Sequence, residues 1–290
     1  MRLGARAFIA FQYLVPQHAL TALVYWLARC RTRWLKRALI RGFSSLYALD
    51  LSEAAEPDAD RYGSFNEFFT RALRPGARPL PVAARAIASP CDGTVSERGT
   101  LEGEYLLQAE VEAKRHRYTL AQLLGPGSGA ADFVGGEFAT IYLAPYNYHR
   151  VHMPLDGRLV ALRYVPGQLF SVNTTTARAV PRLFAQNERV VCRFETTLGP
   201  CALVFVGALN VGSIEIVGFG ALTPARVRRL TDLPLPTPPP SLARGAELGH
   251  FNMGSTVILI LAGGACRWDE GFAPGAAVRM GATIALGREP

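Results

Sequence analysis

Cysteine is scarce in this 290-residue chain: five thiols, an odd number, with no CxxC pair and no regular spacing. That excludes a disulfide framework and a cysteine-based zinc site. Cys30, Cys91, Cys192, Cys201 and Cys266 read instead as reduced, mostly core-filling thiols of a cytosolic compartment. No repeat of fixed period is present, which argues against a solenoid or a propeller. No small-residue cleavage site follows the first apolar stretch, and in "LARC" (27–30) Arg29 stands where a lipoprotein signal needs a small residue, so no secretory leader is expected. The first 49 residues also lack any acid. They carry Arg2, Arg6, Arg29, Arg31, Arg33, Lys36, Arg37 and Arg41. Beyond them basic and acidic groups balance at 23 each, so the net charge of +8 belongs to the N-terminal segment. A nucleic-acid surface would more often be built into the folded body. A basic segment that is also rich in Trp, Leu and Phe points to an anionic membrane surface.

What is present is a globular composition, 49% hydrophobic and 19% charged. Residues 8–28, "FIAFQYLVPQHALTALVYWLA", approach the length of a bilayer span, but Pro16, Gln17 and His18 interrupt them. The second half predicts an amphipathic helix with Leu20, Leu23, Val24, Leu27, Cys30 and Trp34 on one stripe and arginines crowding its far end. Binding in the plane of the interface is the expectation, with a single span as the alternative. The acidic stretch 50–64 reads as a connector, and Ser64 as the cap of a short helix over "FNEFFTRAL". From residue 84 short β-branched runs alternate with DG, LGP and GG turns, which predicts antiparallel strands in a sandwich or barrel. The fold class is therefore α+β: a helical docking segment and connector over 1–64 and a β-rich catalytic domain over 65–290. A proline-rich loop, 233–245, leads into "HFNMGSTVILI" (250–260).

Three places hold reactive groups: Asp92 in "SPCDGTVS", His149 and His152 in "YNYHRVHMP", and Ser255 in "NMGSTV". Singly, each has a plain explanation. Asp92-Gly93 is a hairpin-turn signal, the histidines lack a third ligand at metal spacing, and Gly-Ser-Thr is ordinary turn composition. Together they supply an orienting acid, an imidazole base and a hydroxyl nucleophile. Two chemistries use that set. A serine hydrolase would attack a substrate ester, although the GxSxG elbow and its helix are lacking here. Alternatively, Ser255 attacks the carbonyl of Gly254, and the resulting ester undergoes β-elimination to dehydroalanine and hydrolysis to a pyruvoyl group. The residues alone leave both open, beside a third reading as a non-enzymatic membrane-bound β-domain.

The ordered segments "FNEFFTRALRPGARPL", "SPCDGTVS", "YLAPYNYHRVHMPLDG", "GQLFSVN", "LFAQNERVV", "VGALNVGSI" and "RGAELGHFNMGSTVIL" resemble the phosphatidylserine decarboxylase proenzymes of the bacterial membrane-associated type. Met253 stands where that family commonly has leucine, a volume-conserving change. The resemblance implies that Asp92, His152 and Ser255 form a self-cleavage relay, with Asp92 fixing the tautomer of His152. It implies cleavage between Gly254 and Ser255 into a large chain 1–254 and a small chain 255–290. The Ser255-derived pyruvoyl group would condense with the amine of phosphatidylserine, draw off the electrons of the departing carboxylate and release phosphatidylethanolamine. His149 would donate the proton, and Ser171 would bind near the substrate; neither a metal nor a lysine-bound pyridoxal is required. The implied partners are phosphatidylserine, an anionic membrane surface and the two chains of one precursor, with a homodimer left open and no nucleic acid. The implied location is peripheral, on the cytoplasmic face of the cell membrane.

Overall fold

A computed structural model of the chain describes residues 3–111, 114–209, 213–222, 229–253 and 255–288. Gly254, one side of the expected cleavage site, lies outside the described residues.

Three helices open the chain: α1 (Leu3–Leu14), α2 (Gln17–Ala28) and α3 (Arg33–Tyr47). Pro16 has no amide hydrogen and cannot continue a helical ladder, and α1 and α2 meet there at 89°. No single described helix is long and apolar enough to cross a membrane. The stripe expected to run on to Trp34 is broken at Arg29–Thr32, so Cys30 lies in a connection and Trp34 on α3. Of the expected stripe, Leu23 and Trp34 are exposed and Leu20, Val24, Leu27 and Cys30 half-buried. Gln12, Gln17 and Thr21 are buried instead, and Phe11, Leu14 and Trp26 join the exposed apolar side chains.

Ser64 caps α4 (Phe65–Phe69) as its sequence predicts, accepting from Glu67 N at 3.2 Å. Phe65, Phe68 and Phe69 pack with Ile40 and Phe43 of α3 into a small aromatic core that also takes in Met253. The connector 50–64 is tied down rather than loose: Lys36 Nζ donates to the carbonyls of Asp60 and Tyr62, and Arg37 pairs with Asp60.

The β-rich part is built of open antiparallel sheets, without a closed barrel. The strands that position the site are β1 (Gly93–Thr100), β2 (Glu137–Leu143), β3 (Arg150–His152), β4 (Gly157–Val165), β5 (Arg189–Thr196), β6 (Gly199–Val206), β7 (Ile214–Ile216), β8 (Glu247–Phe251) and β9 (Ser255–Leu261). The large sheet has the order β4-β5-β6-β9-β2-β1, extended at both ends by two-residue strands. A smaller sheet joins β7, β8 and β3, with Gly220–Leu222 on its outer edge. β9 is buried over its whole length between β6 and β2, which explains its unbroken run of apolar residues. Asp92-Gly93 is not a hairpin. The strand before it, Ala86–Ala88, pairs with Thr283–Gly287, while β1 pairs with β2. Gly93 is needed for another reason: a Cβ there would lie 2.4 Å from the carbonyl oxygen of Tyr142.

Candidate active site

The register of the large sheet gathers the reactive segments at one end. Ser255, the first residue of β9, lies opposite Leu143, the last of β2, and Thr256 lies opposite Val206, the last of β6. Val206 faces Arg189, the first residue of β5, and Arg189 faces Val165, the last of β4. Thr94 of β1 faces Tyr142. The loops that follow β2 (with His149) and β4 (with Ser171), and Asp92 just before β1, therefore emerge at the same end as Ser255. His152 reaches that end from the second sheet, where its strand pairs with β8 and its amide donates to the carbonyl of Pro90 at 2.7 Å.

Ser255 is fully buried, and its hydroxyl has no hydrogen-bond partner among the described residues. An unsatisfied buried hydroxyl costs about 1–3 kcal/mol, and although Thr140 and Thr256 share that condition, only Ser255 stands at the end of β9 where the reactive segments gather. The segment leading to it is held from the side. Asn252 donates from Nδ2 to Ser213 Oγ at 2.5 Å and accepts from Asn66 of α4 at 2.9 Å. The aromatic helix α4 thus buttresses the turn in which the chain is expected to break.

His152 has both ring nitrogens engaged. Nδ1 lies 2.8 Å from the carbonyl oxygen of Gly245, which can only accept, so Nδ1 carries the proton. In the neutral ring Nε2 is then an acceptor, and Tyr148 donates its hydroxyl to it at 3.0 Å. Burial lowers the pKa of His152, against the opposing pull of the Gly245 carbonyl and of Glu247, so the ring is neutral and basic at neutral pH. Gly245 therefore makes the tautomer-fixing contact expected of Asp92. The Asp92 carboxylate instead takes a two-pronged ion pair from Arg78, at 2.9 Å to Nε and 2.6 Å to Nη2, and a third bond from the amide of Met280 at 2.8 Å. Arg78 also pairs with Glu53, which in turn pairs with Arg279. Asp92 acts on His152 through its charge, which favours the imidazolium.

His149 is buried against the ring of Phe69, 4.2 Å between centroids. Its Nδ1 donates to the carbonyl of Asn147 at 2.8 Å, and Nε2 has no partner among the described residues. Burial pushes its pKa down to about 3, against the raising effect of the Asn147 bond, so at neutral pH it presents a lone pair rather than a proton. Ser171 is half-buried in the loop after β4, and its amide donates to Gln12 Oε1 of α1 at 2.7 Å.

Several participants were not singled out by sequence reasoning. Arg78 lies inside "RPGARPL", the second of two arginines in a proline-glycine stretch, and an arginine placed directly before a helix breaker is a usable signal. Tyr148 stands in the same "YNYHRVHMP" motif as the histidines, but its residue type gives no sign that its hydroxyl meets His152. Gly245 acts through its carbonyl and leaves no sequence trace.

Comparison with known proteins decides the family. A family model described as phosphatidylserine decarboxylase matches residues 65–286, and a second, described as PSD, matches residues 7–48. The chain belongs to the phosphatidylserine decarboxylase family. It is 49% identical over 286 residues to the phosphatidylserine decarboxylase proenzyme of Pseudomonas entomophila, covering 97% of this chain and 98% of that protein. It is 50% identical over 285 residues to that of Pseudomonas putida strain GB-1, covering 97% and 98%. The proenzyme of Methylibium petroleiphilum is 48% identical over 279 residues, covering 96% of each chain. The family is thus one of proenzymes, and the partnerless hydroxyl of Ser255 fits a residue that reacts with its own chain. The α+β class and the β-rich core agree with the sequence reading, with open sheets in place of a barrel.

Proposed function

We propose that this chain is a self-processing decarboxylase that converts phosphatidylserine to phosphatidylethanolamine and carbon dioxide at a lipid surface, with a pyruvoyl group made from Ser255. The observation that carries the reading is the placement of Ser255: fully buried, its hydroxyl without a partner among the described residues, on the first residue of β9 at the end of the sheet where Asp92 and His149 emerge. Neutral His152 is the base for its proton. To act, Nε2 exchanges the Tyr148 hydroxyl for Ser255 Oγ, and the Gly245 carbonyl keeps the other nitrogen protonated throughout. The Asp92 anion, held in place by Arg78, stabilises the imidazolium that results. Chain cleavage leaves β9 between β6 and β2, so the 255–290 piece stays in the core.

When present, the pyruvoyl group supplies an electron-poor carbonyl that accepts the electron pair released as the substrate carboxylate departs. The remaining carbon must be protonated, and His149 is the residue for that step. It is neutral in the free enzyme, but the phosphodiester and carboxylate of a bound lipid place negative charge beside it, which raises its pKa and lets Nε2 take up the proton it delivers. Ser171 contributes a hydroxyl to the head group. The exposed apolar side chains of α1, α2 and α3, among them Phe11, Leu14, Leu23, Trp26 and Trp34, support docking in the plane of an anionic cytoplasmic membrane surface. The arginines of the same segment supply the complementary charge.

Intact mass of the purified protein tests the reading. Chains of 254 and 36 residues are expected, the smaller one blocked to Edman sequencing, with phosphatidylserine-dependent release of carbon dioxide. Ser255→Ala should remain a single 290-residue species and release none. An unprocessed wild-type chain that hydrolyses lipid esters would transfer the site to the hydrolase reading.

A further inference from the structure

The bent helical pair α1–α2 does more than sit beside the β-rich part, because two buried glutamines attach it to the loop that carries Ser171. Gln17 Oε1 accepts from the amide of Leu169 at 2.7 Å, and Gln12 Oε1 accepts from the amide of Ser171 at 2.7 Å. The two glutamines are joined across the bend, where Gln17 Nε2 donates to the carbonyl oxygen of Gln12 at 2.8 Å. Between these two amides, that of Phe170 points the other way and donates to Asn187 Oδ1 at 3.1 Å. Asn187 is itself fully buried and returns a bond to the Phe170 carbonyl at 2.8 Å. Three consecutive loop amides are therefore held alternately by the helical bend outside and by the β-rich part inside. The ring of Tyr13 covers Phe170 at 4.9 Å. The Ser171 hydroxyl makes no hydrogen bond to any described residue, so the clamp holds the backbone and leaves the side chain available.

Burying an amide side chain is costly unless every strong bond is made, and here the acceptors of both glutamines serve one three-residue stretch, Leu169 to Ser171. On α2 the opposite face carries exposed Leu23 and Trp26. A single element thus leaves apolar side chains exposed on one side and grips the loop with the other.

We infer that Gln12 and Gln17 are positioning residues of the substrate site: they bolt the Ser171 loop to the bent helical pair, so that the loop is presented to a phospholipid head group at a height set by the seating of that pair on the membrane. This rests on the function proposed above. The test uses the full chain and mixed vesicles of phosphatidylserine and phosphatidylcholine, with carbon dioxide release measured against the surface fraction of phosphatidylserine. For Gln12→Ala and Gln17→Ala, self-cleavage and sedimentation with vesicles should match wild type. KM expressed as surface fraction should rise about tenfold for each, the worth of one lost buried hydrogen bond, while kcat falls by less than about twofold. A fall in kcat at unchanged KM would mark a merely structural loss and overturn the inference, as would unchanged kinetics. If the glutamine variants fail to self-cleave, Tyr13→Ala decides, because that side chain is exposed and removes only the cover over Phe170. A rise in KM of about threefold is then expected, and wild-type KM overturns the inference. A wild-type protein that releases no carbon dioxide would instead refute the decarboxylase reading.

Discussion

The α1–α2 pair and the large sheet bury opposite kinds of residue. The sheet encloses Val257, Ile258, Leu259 and Ile260 on a strand with no exposed position. The helical pair encloses Gln12, Gln17 and Thr21 and leaves Phe11, Leu14, Leu23 and Trp26 outside. Both obey the same physics in different surroundings. An apolar side chain is stabilised by leaving water, and the sheet provides a protein interior for that, whereas the helical pair presents its apolar face to whatever lies beyond the protein. The lesson is that a hydrophobic stripe on a helix does not announce which side faces the core. A second contrast concerns the polar groups each region hides. The helical pair buries neutral amides, which need only hydrogen bonds, while the β-rich part buries amides such as Asn187 and also ions such as Asp92 with Arg78.

Three experiments would break or sharpen this comparison. The largest effect is expected for Arg78→Ala, which leaves Asp92 buried with only the Met280 amide. A loss of about 4 kcal/mol in denaturant unfolding is expected, together with slower self-cleavage. Wild-type stability would show that the pair is dispensable and that the two regions differ less than their composition suggests. Next come matched leucine truncations. Leu259→Ala should destabilise by about 3 kcal/mol through the cavity left in the sheet. Leu14→Ala, 83% exposed, should change stability by less than about 0.5 kcal/mol yet weaken vesicle sedimentation. Equal losses of stability at the two sites would mean that Leu14 belongs to an interior after all.

The last experiment reads a pH dependence rather than a fixed loss, at Glu188, buried at the start of the segment that enters β5. Burial raises its pKa to about 8 from an ordinary 4.5, against the opposing effect of Tyr164. The native state keeps the proton that the unfolded chain releases above pH 4.5, so stability is full below that pH and is lost as the pH rises toward 8. Glu188→Gln cannot lose a proton there. It should match wild type near pH 4.5 and exceed it by roughly 3–4 kcal/mol at pH 8, read from thermal or denaturant midpoints. A constant difference across that range would mean that Glu188 is not protonated in the folded chain.

Much of this protein was legible in its sequence, for a definable reason. Strand β9, the helix break at Pro16 and the Ser64 cap all follow from interactions within a few residues, so local pattern suffices. Asp92, His149, His152 and Ser255 were each ordinary turn or strand residues and stood out only as a set, with their roles implied by the family resemblance. The connections among them were not legible. Arg78 takes the carboxylate of Asp92, the Gly245 carbonyl sets the tautomer of His152 from 93 positions away, and Gln12 reaches Ser171 across 159. Sequence determined which elements form and which candidate groups to look for, because propensity, capping and burial pattern act locally. Tertiary structure decided which donor each acceptor receives and which face of the helical pair turns inward, because hydrogen-bond partners and neighbouring surfaces are chosen only when distant segments meet.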